Sequence, residues 1–235
     1  MKPPKPDCSL LGSLRRIRPW YGLGWFLFRM LFATYFRWRI FNPERVPLTG
    51  PVLLASNHAS FLDPPIVGGA APREVYYLAR ETLFRFPPMG ALLRSWNSIP
   101  IDREGNSSSA IKTVLEALQS GKALVMFPEG TRSKNGELQP ARSGVGMIVI
   151  KTDAAVVPAR VFGTYKAFGR HMKIPLPRRV MVKYGHPMYF RELRQEAKTC
   201  TKARLKQIYQ EISDEIMREI SRLEPSEEVD QFPAR

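Results

Sequence analysis

Val52-Leu53-Leu54-Ala55-Ser56-Asn57-His58-Ala59-Ser60-Phe61-Leu62-Asp63-Pro64-Pro65 runs from an apolar tetrapeptide into a polar loop and stops at two prolines. The apolar start reads as a buried strand. Pro64 fits the first turn of a helix, where a missing N–H costs nothing, and Asp63 before it fits the N-cap. His58 then falls in the loop at the carboxyl end of the strand, where open α/β sheets place their ligands. Asp63 follows five residues later, near enough for the loop to return its carboxylate to the imidazole. A carboxylate on one ring nitrogen fixes the tautomer and leaves the other nitrogen to take a proton. The same spacing also fits an ordinary loop histidine beside a helix cap.

Seventy residues on, Val125-Met126-Phe127-Pro128-Glu129-Gly130-Thr131-Arg132-Ser133 repeats the arrangement of an apolar run ending in a polar loop. This loop offers an arginine, a hydroxyl and a glycine that lets backbone approach a ligand. Together the two loops resemble the glycerolipid acyltransferase family, the PlsC-like 1-acylglycerol-3-phosphate O-acyltransferases. One family block places Asn and Ser around a histidine with an aspartate after it, matched by Asn57, His58, Ser60 and Asp63. Another, Phe-Pro-Glu-Gly-Thr-Arg-Ser, is matched in full from Phe127 to Ser133. A further block ending in Asp-Arg is met by Ile99-Pro100-Ile101-Asp102-Arg103, which departs from the pattern at Asn97 and Pro100. The last, a Val-Pro strand, is met by Val157-Pro158, with Gly163 after it. The likeness covers roughly residues 45–165 and implies an α/β fold.

The charge is uneven. The 235 residues carry a net +15, of which residues 1–50 hold +7 and residues 160–206 hold +11. Residues 51–159 sum to +2 and residues 207–235 to −5, so the segment with the motifs is nearly neutral between basic flanks. Such charge suits nucleic acid, an anionic membrane surface or an acidic carrier protein. No nucleic-acid-binding module or aromatic–basic ribonucleoprotein motif accompanies it, which disfavours nucleic acid. Two cysteines, Cys8 and Cys200, make no disulfide framework, and a reducing cytosolic setting is expected. The histidines, His58, His171 and His186, are too scattered for a zinc cluster, and no metal is expected.

Along the chain, residues 1–19 are rich in proline and then arginine, and no cleavable signal is expected there. Residues 20–36 are mostly large and apolar, with Arg29 inside the run and Arg37 and Arg39 behind it. A spanning helix wants ~20 apolar residues, and a central Arg costs ~2.5–3.5 kcal/mol on insertion scales. Arg18 and Arg29 fall near one helix face, but Trp25 and Phe36 lie close to it too. The run reads as a helix lying in the membrane interface, with a true span or a core helix as alternatives. Residues 42–50, with Pro43 and Pro47, read as a linker.

After the linker, strands and helices alternate. Strands are predicted over 52–55, 75–79, 98–101, 123–127, 154–162 and 179–184, and helices over 81–95 (broken at Pro87-Pro88), near 111–118, over 142–152 and from Leu205 to Ile220. Pro158 suggests an edge position or a strand end for its strand. The last helix has a polar face of mixed charge that reads as a solvated surface. The pattern predicts an α/β fold, a mixed and partly parallel sheet flanked by helices, with an N-terminal membrane-interacting helical segment. Two parts are expected: a basic, aromatic membrane-association segment, 1–41, and an α/β acyltransferase domain, 42–235.

Acyl transfer from a thioester to an alcohol requires removal of the alcohol's proton as attack begins. His58, oriented by Asp63, supplies that base, a contribution of typically ~10²–10⁴ in rate. No Gly-x-Ser-x-Gly elbow is present to support a covalent acyl-serine, so direct transfer is the simpler mechanism. Arg132 offers a planar fork for a phosphate monoester, and Arg103 a second charge. Glu129 beside a phosphate would repel it, so it reads as a brace for Arg132 or a contact to a hydroxyl. Asn57 reads as a brace for the turn and Ser60 as a loop hydrogen bond. The resemblance implies that Glu129, Gly130, Thr131 and Arg132 bind the glycerol phosphate of a lysophosphatidate acceptor. It implies acyl-CoA or acyl carrier protein as co-substrate, no other cofactor, and a peripheral or monotopic place on the cytoplasmic face of the membrane. Other readings are the same chemistry on glycerol 3-phosphate, a lysophospholipid or an amino lipid, a nucleic-acid-binding protein, and a membrane-binding module without catalysis.

Overall fold

A computed structural model describes residues 26, 29–101 and 107–225. Among these residues seven strands form one sheet: β1 (Arg39–Phe41), β2 (Val52–Ser56), β3 (Val75–Arg80), β4 (Ser98–Ile101), β5 (Ala123–Met126), β6 (Ala155–Phe162) and β7 (Met181–Tyr184). Their spatial order is β1-β7-β6-β2-β5-β3-β4. All neighbours run parallel except β6 and β7. The helices after β1 in the described residues are α1 (Asp63–Ala70), α2 (Pro87–Ser95), α3 (Ser107–Gln119), α4 (Gly144–Ile150), α5 (Thr164–Phe168), α6 (Arg191–Glu196) and α7 (Lys202–Arg222). A mixed α/β sheet flanked by helices is therefore the fold, as the alternation predicts.

Each face of the sheet has its own core, because successive side chains of a strand point to opposite sides. Val52 and Leu54 of β2 join α1, Phe32 and Phe36 on one face. Leu53 and Ala55 join α3, α4 and α7 on the other, where Ile208, Ile212, Ile216 and Ile220 recur at helical spacing and are fully buried. α7 comes close to α4 at Gly146, where a Cβ would lie 1.9 Å from the Tyr209 carbonyl oxygen. The Gly146 N–H donates to Ser213 Oγ at 3.0 Å across the same contact. The outer face of α7 carries ion pairs of Arg204 with Glu196 and Glu211, in keeping with a solvated surface.

Three local differences from the sequence reading stand out. β1 lies just ahead of the predicted linker and pairs with β7, Arg39 opposite Met181. β6 is interior to the sheet, between β7 and β2, so Pro158 marks neither an edge nor a strand end. It is tolerated because it falls one residue past the last β6–β7 pair, Ala159 with Tyr184, and its ring faces Gly185. Residues 29–35 are helical and dock on the core through Phe32 and Phe36, while Phe26, Met30, Leu31 and Tyr35 remain exposed. Arg29 turns inward: its Nη1 donates to the Gly69 carbonyl at 3.1 Å, and its guanidinium lies 5.6 Å from the Trp38 ring. A cation there meets the negative end of α1. Among the described residues no helix is long and apolar enough to cross a membrane. Arg18 and Trp25, on which the helix-face reading drew, lie outside the described residues, as does Arg103.

Candidate active site

His58 leaves the carboxyl end of β2, and two prolines decide what Asp63 does next. Pro64 and Pro65 have no N–H, and the Ile66 N–H already donates to the Leu62 carbonyl at 3.0 Å. The N-cap of α1 is Leu62 rather than Asp63, which occupies the first helical position. Its carboxylate has no donor to cap within its own helix and turns back to the loop. There Asp63 Oδ2 lies 2.9 Å from His58 Nδ1 and receives the N–H groups of Ala59 and Ser60, each at 2.6 Å. Asp63 is fully buried, whereas the His58 side chain keeps 14% of its surface exposed. An ionised carboxylate only accepts, so Nδ1 carries the hydrogen and Nε2 is the nitrogen that can take a proton.

The second loop is laced to the first through the His58 backbone. Glu129 Oε1 accepts the His58 N–H at 2.9 Å, and the His58 carbonyl accepts the Ser133 N–H at 2.7 Å. Phe127 stacks on the imidazole, centroids 3.9 Å apart and planes 16° from parallel. Glu129 is 2% exposed. Burial is the main cause that pushes its carboxyl up to about 7, and the Asp63 charge adds to it. The backbone N–H groups of His58 and Gln139 pull the other way.

Arg132 lays its guanidinium over the Phe61 ring at 3.5 Å, three residues along from His58. Gly130 and Thr131 are exposed between Glu129 and Arg132. Gly130 has φ +71, and a Cβ on it would meet Arg142 Cδ at 2.9 Å, so both backbone and space call for glycine. Asn57 ties β2 to β6, accepting the Val161 N–H at 2.8 Å and donating to its carbonyl at 3.3 Å. Ser60 Oγ donates to the Phe168 carbonyl at 2.6 Å. His58, Asp63, Glu129, Gly130, Thr131 and Arg132 thus share one edge of the sheet. The ring platforms Phe61 and Phe127 were not singled out from sequence. Their signal was an aromatic side chain within the histidine block and another at the head of the Glu-Gly-Thr-Arg block. Among the described residues no group of His, Cys, Asp and Glu is arranged to hold a metal ion.

An imidazole held on Nδ1 by a buried carboxylate, at the carboxyl edge of an α/β sheet, has its Nε2 available for proton transfer. Comparison with known proteins defines the lineage. Residues 37–161 match the protein family described as Acyltransferase, more than half of the chain. The 1-acyl-sn-glycerol-3-phosphate acyltransferase of Bacillus subtilis is 31% identical over 53% of this chain and 62% of its own. That of Helicobacter pylori is 33% identical over 51% of this chain and 52% of its own. The crystal structure of the 1-acyl-sn-glycerophosphate (LPA) acyltransferase PlsC from Thermotoga maritima has a similar fold. Its TM-score is 0.64 at 21% identity, covering 92% of this chain and 89% of that one. The matched regions span about half to three-fifths of those two relatives. The chain belongs to the acyltransferase family.

Proposed function

We propose that the protein transfers an acyl group from acyl-CoA or acyl carrier protein to the free hydroxyl of 1-acyl-sn-glycerol 3-phosphate, giving phosphatidate. The relatives' names support this acceptor, and one observation carries the mechanism: Asp63 holds His58 by Nδ1, which leaves Nε2 for the incoming hydroxyl. In that mechanism Nε2 takes the hydroxyl proton as the oxygen attacks the thioester carbonyl. The new C–O bond forms, the C–S bond breaks, and the imidazolium returns its proton to the departing thiolate. Arg132, stacked on Phe61, offers its guanidinium edge to the acceptor phosphate, with Gly130 and Thr131 beside it.

The acceptor is a membrane lipid, and the protein works at an anionic surface on the cytoplasmic face, peripheral or monotopic. The +7 of residues 1–50 and the exposed Phe26, Met30 and Leu31 support that placement. The test is direct. Purified protein is offered labelled acyl-CoA or acyl carrier protein with a panel of lysophosphatidate, glycerol 3-phosphate, lysophospholipid and amino-lipid acceptors, and the labelled lipid is identified. Labelled phosphatidate as the main product is expected. A different labelled lipid would replace the acceptor, and no labelled product with any pair would remove the proposal.

A further inference from the structure

Residues 169–180 join α5 to β7 at the same edge of the sheet as His58, because β7 runs against β6 and β2. Ile174, 72% exposed, is the most exposed large apolar side chain among the described residues, and Leu176 beside it is 41% exposed. Arg170, Lys173, Arg178 and Arg179 flank the pair, and no acidic residue falls between Asp153 and Glu192. The tip is held in place. The Leu176 N–H donates to the Ala167 carbonyl at 2.7 Å and the Met172 N–H to the Gly169 carbonyl at 3.0 Å. Tyr35 Oη donates to the Pro175 carbonyl at 3.0 Å. Pro175 and Pro177 restrict the backbone further.

A fixed apolar point ringed by cations fits the boundary of an anionic bilayer, where the side chains leave water and the charges meet headgroups. We propose that residues 169–180 insert Ile174 and Leu176 into an anionic phospholipid bilayer as a second docking element beside residues 26–35, to which Tyr35 ties it. The insertion sets the height of the His58 loop, since Ser60 Oγ bonds the Phe168 carbonyl and the Phe61 and Phe168 rings lie 5.5 Å apart. The inference rests on the proposed use of a lipid acceptor, because only then does height above the bilayer matter to turnover.

Full-length protein and the variant Ile174→Ser plus Leu176→Ser are sedimented with phosphatidylcholine vesicles with and without phosphatidylglycerol. Expected are a vesicle partition coefficient lower by about tenfold or more, an unchanged melting temperature, and a lower rate on vesicle-borne lysophosphatidate. The rate on a monomeric short-chain lysophosphatidate should stay the same. A second variant, Arg178→Gln plus Arg179→Gln, keeps the apolar tip and should lose affinity for phosphatidylglycerol vesicles mainly at low salt. Unchanged partition of the first variant would overturn the proposal, as would loss of binding to an acidic carrier protein with vesicle binding intact. Should the wild type acylate no lysophosphatidate while the variant still leaves the vesicles, the docking element stands and the proposed reaction falls.

Discussion

Glu129 accepts the backbone N–H of His58 on Oε1 at 2.9 Å, so the acid of one motif loop holds the main chain of the histidine in the other. The contact joins residues 71 positions apart and accounts for a buried carboxyl in the loop after β5. It also makes the assembly of the two loops sensitive to the protonation of one group.

Burial raises the Glu129 carboxyl from 4.5 to about 7. Below 4.5 both folded and unfolded chains hold the proton, and Glu129 exacts no penalty. Between 4.5 and 7 the unfolded chain releases it while the folded chain retains it, so stability falls as pH rises and levels above 7. Denaturant titrations from pH 4 to 8 should show wild type losing on the order of 3 kcal/mol over that window relative to Glu129→Gln, which keeps an acceptor oxygen. Parallel pH profiles for the two proteins would rule this out.

His58→Ala should lower kcat by about 10²–10⁴ while the fold survives, because Asp63 keeps the Ala59 and Ser60 N–H groups as donors. Asp63→Asn disturbs the tautomer and should lower kcat as well. Asp63→Ala removes the one oxygen that serves three donors and should also cost on the order of 2–4 kcal/mol of stability. Calorimetry beside steady-state rates separates the two effects. Normal turnover in folded His58→Ala protein would remove the mechanism.

Arg132→Lys keeps the charge but loses both the planar stack on Phe61 and the two-pronged donor edge. The acceptor KM should rise while the donor KM stays constant, and Arg132→Ala should be worse. Phe61→Ala should produce part of the same KM change, and the double variant less than the sum, as expected for side chains in contact. A rise confined to the donor KM would overturn the assignment of this loop.

Phe36→Ala should destabilise the protein by about 3–5 kcal/mol, because the ring is 4% exposed in the core beneath the sheet. Deletion of residues 1–40 should therefore lower the melting temperature far more than deletion of residues 1–25, since it removes Phe32, Phe36 and most of β1. Equal melting temperatures for the two truncations would contradict this packing.

Short-range chemistry made much of the protein readable. The apolar run of β2, the prolines that start α1 and the repeat of Ile208, Ile212, Ile216 and Ile220 in α7 all act within a few residues, and the sequence alone determined those elements. The contact of Asp63 with His58 was legible for the same reason, since the two lie five residues apart. Contacts between distant segments were decided by the tertiary structure. β1 is three residues long and exists through its pairing with β7, some 140 positions away. Pro158 is interior because the β6–β7 ladder ends just short of its missing N–H. Arg29 reads as a charge inside an apolar run until Gly69 and Trp38 come beside it. Glu129 shows its role only when the two loops meet at the His58 N–H. Periodicity and turn chemistry are local and leave a pattern along the chain, whereas the partner of a buried polar group is set by which segments the fold brings together.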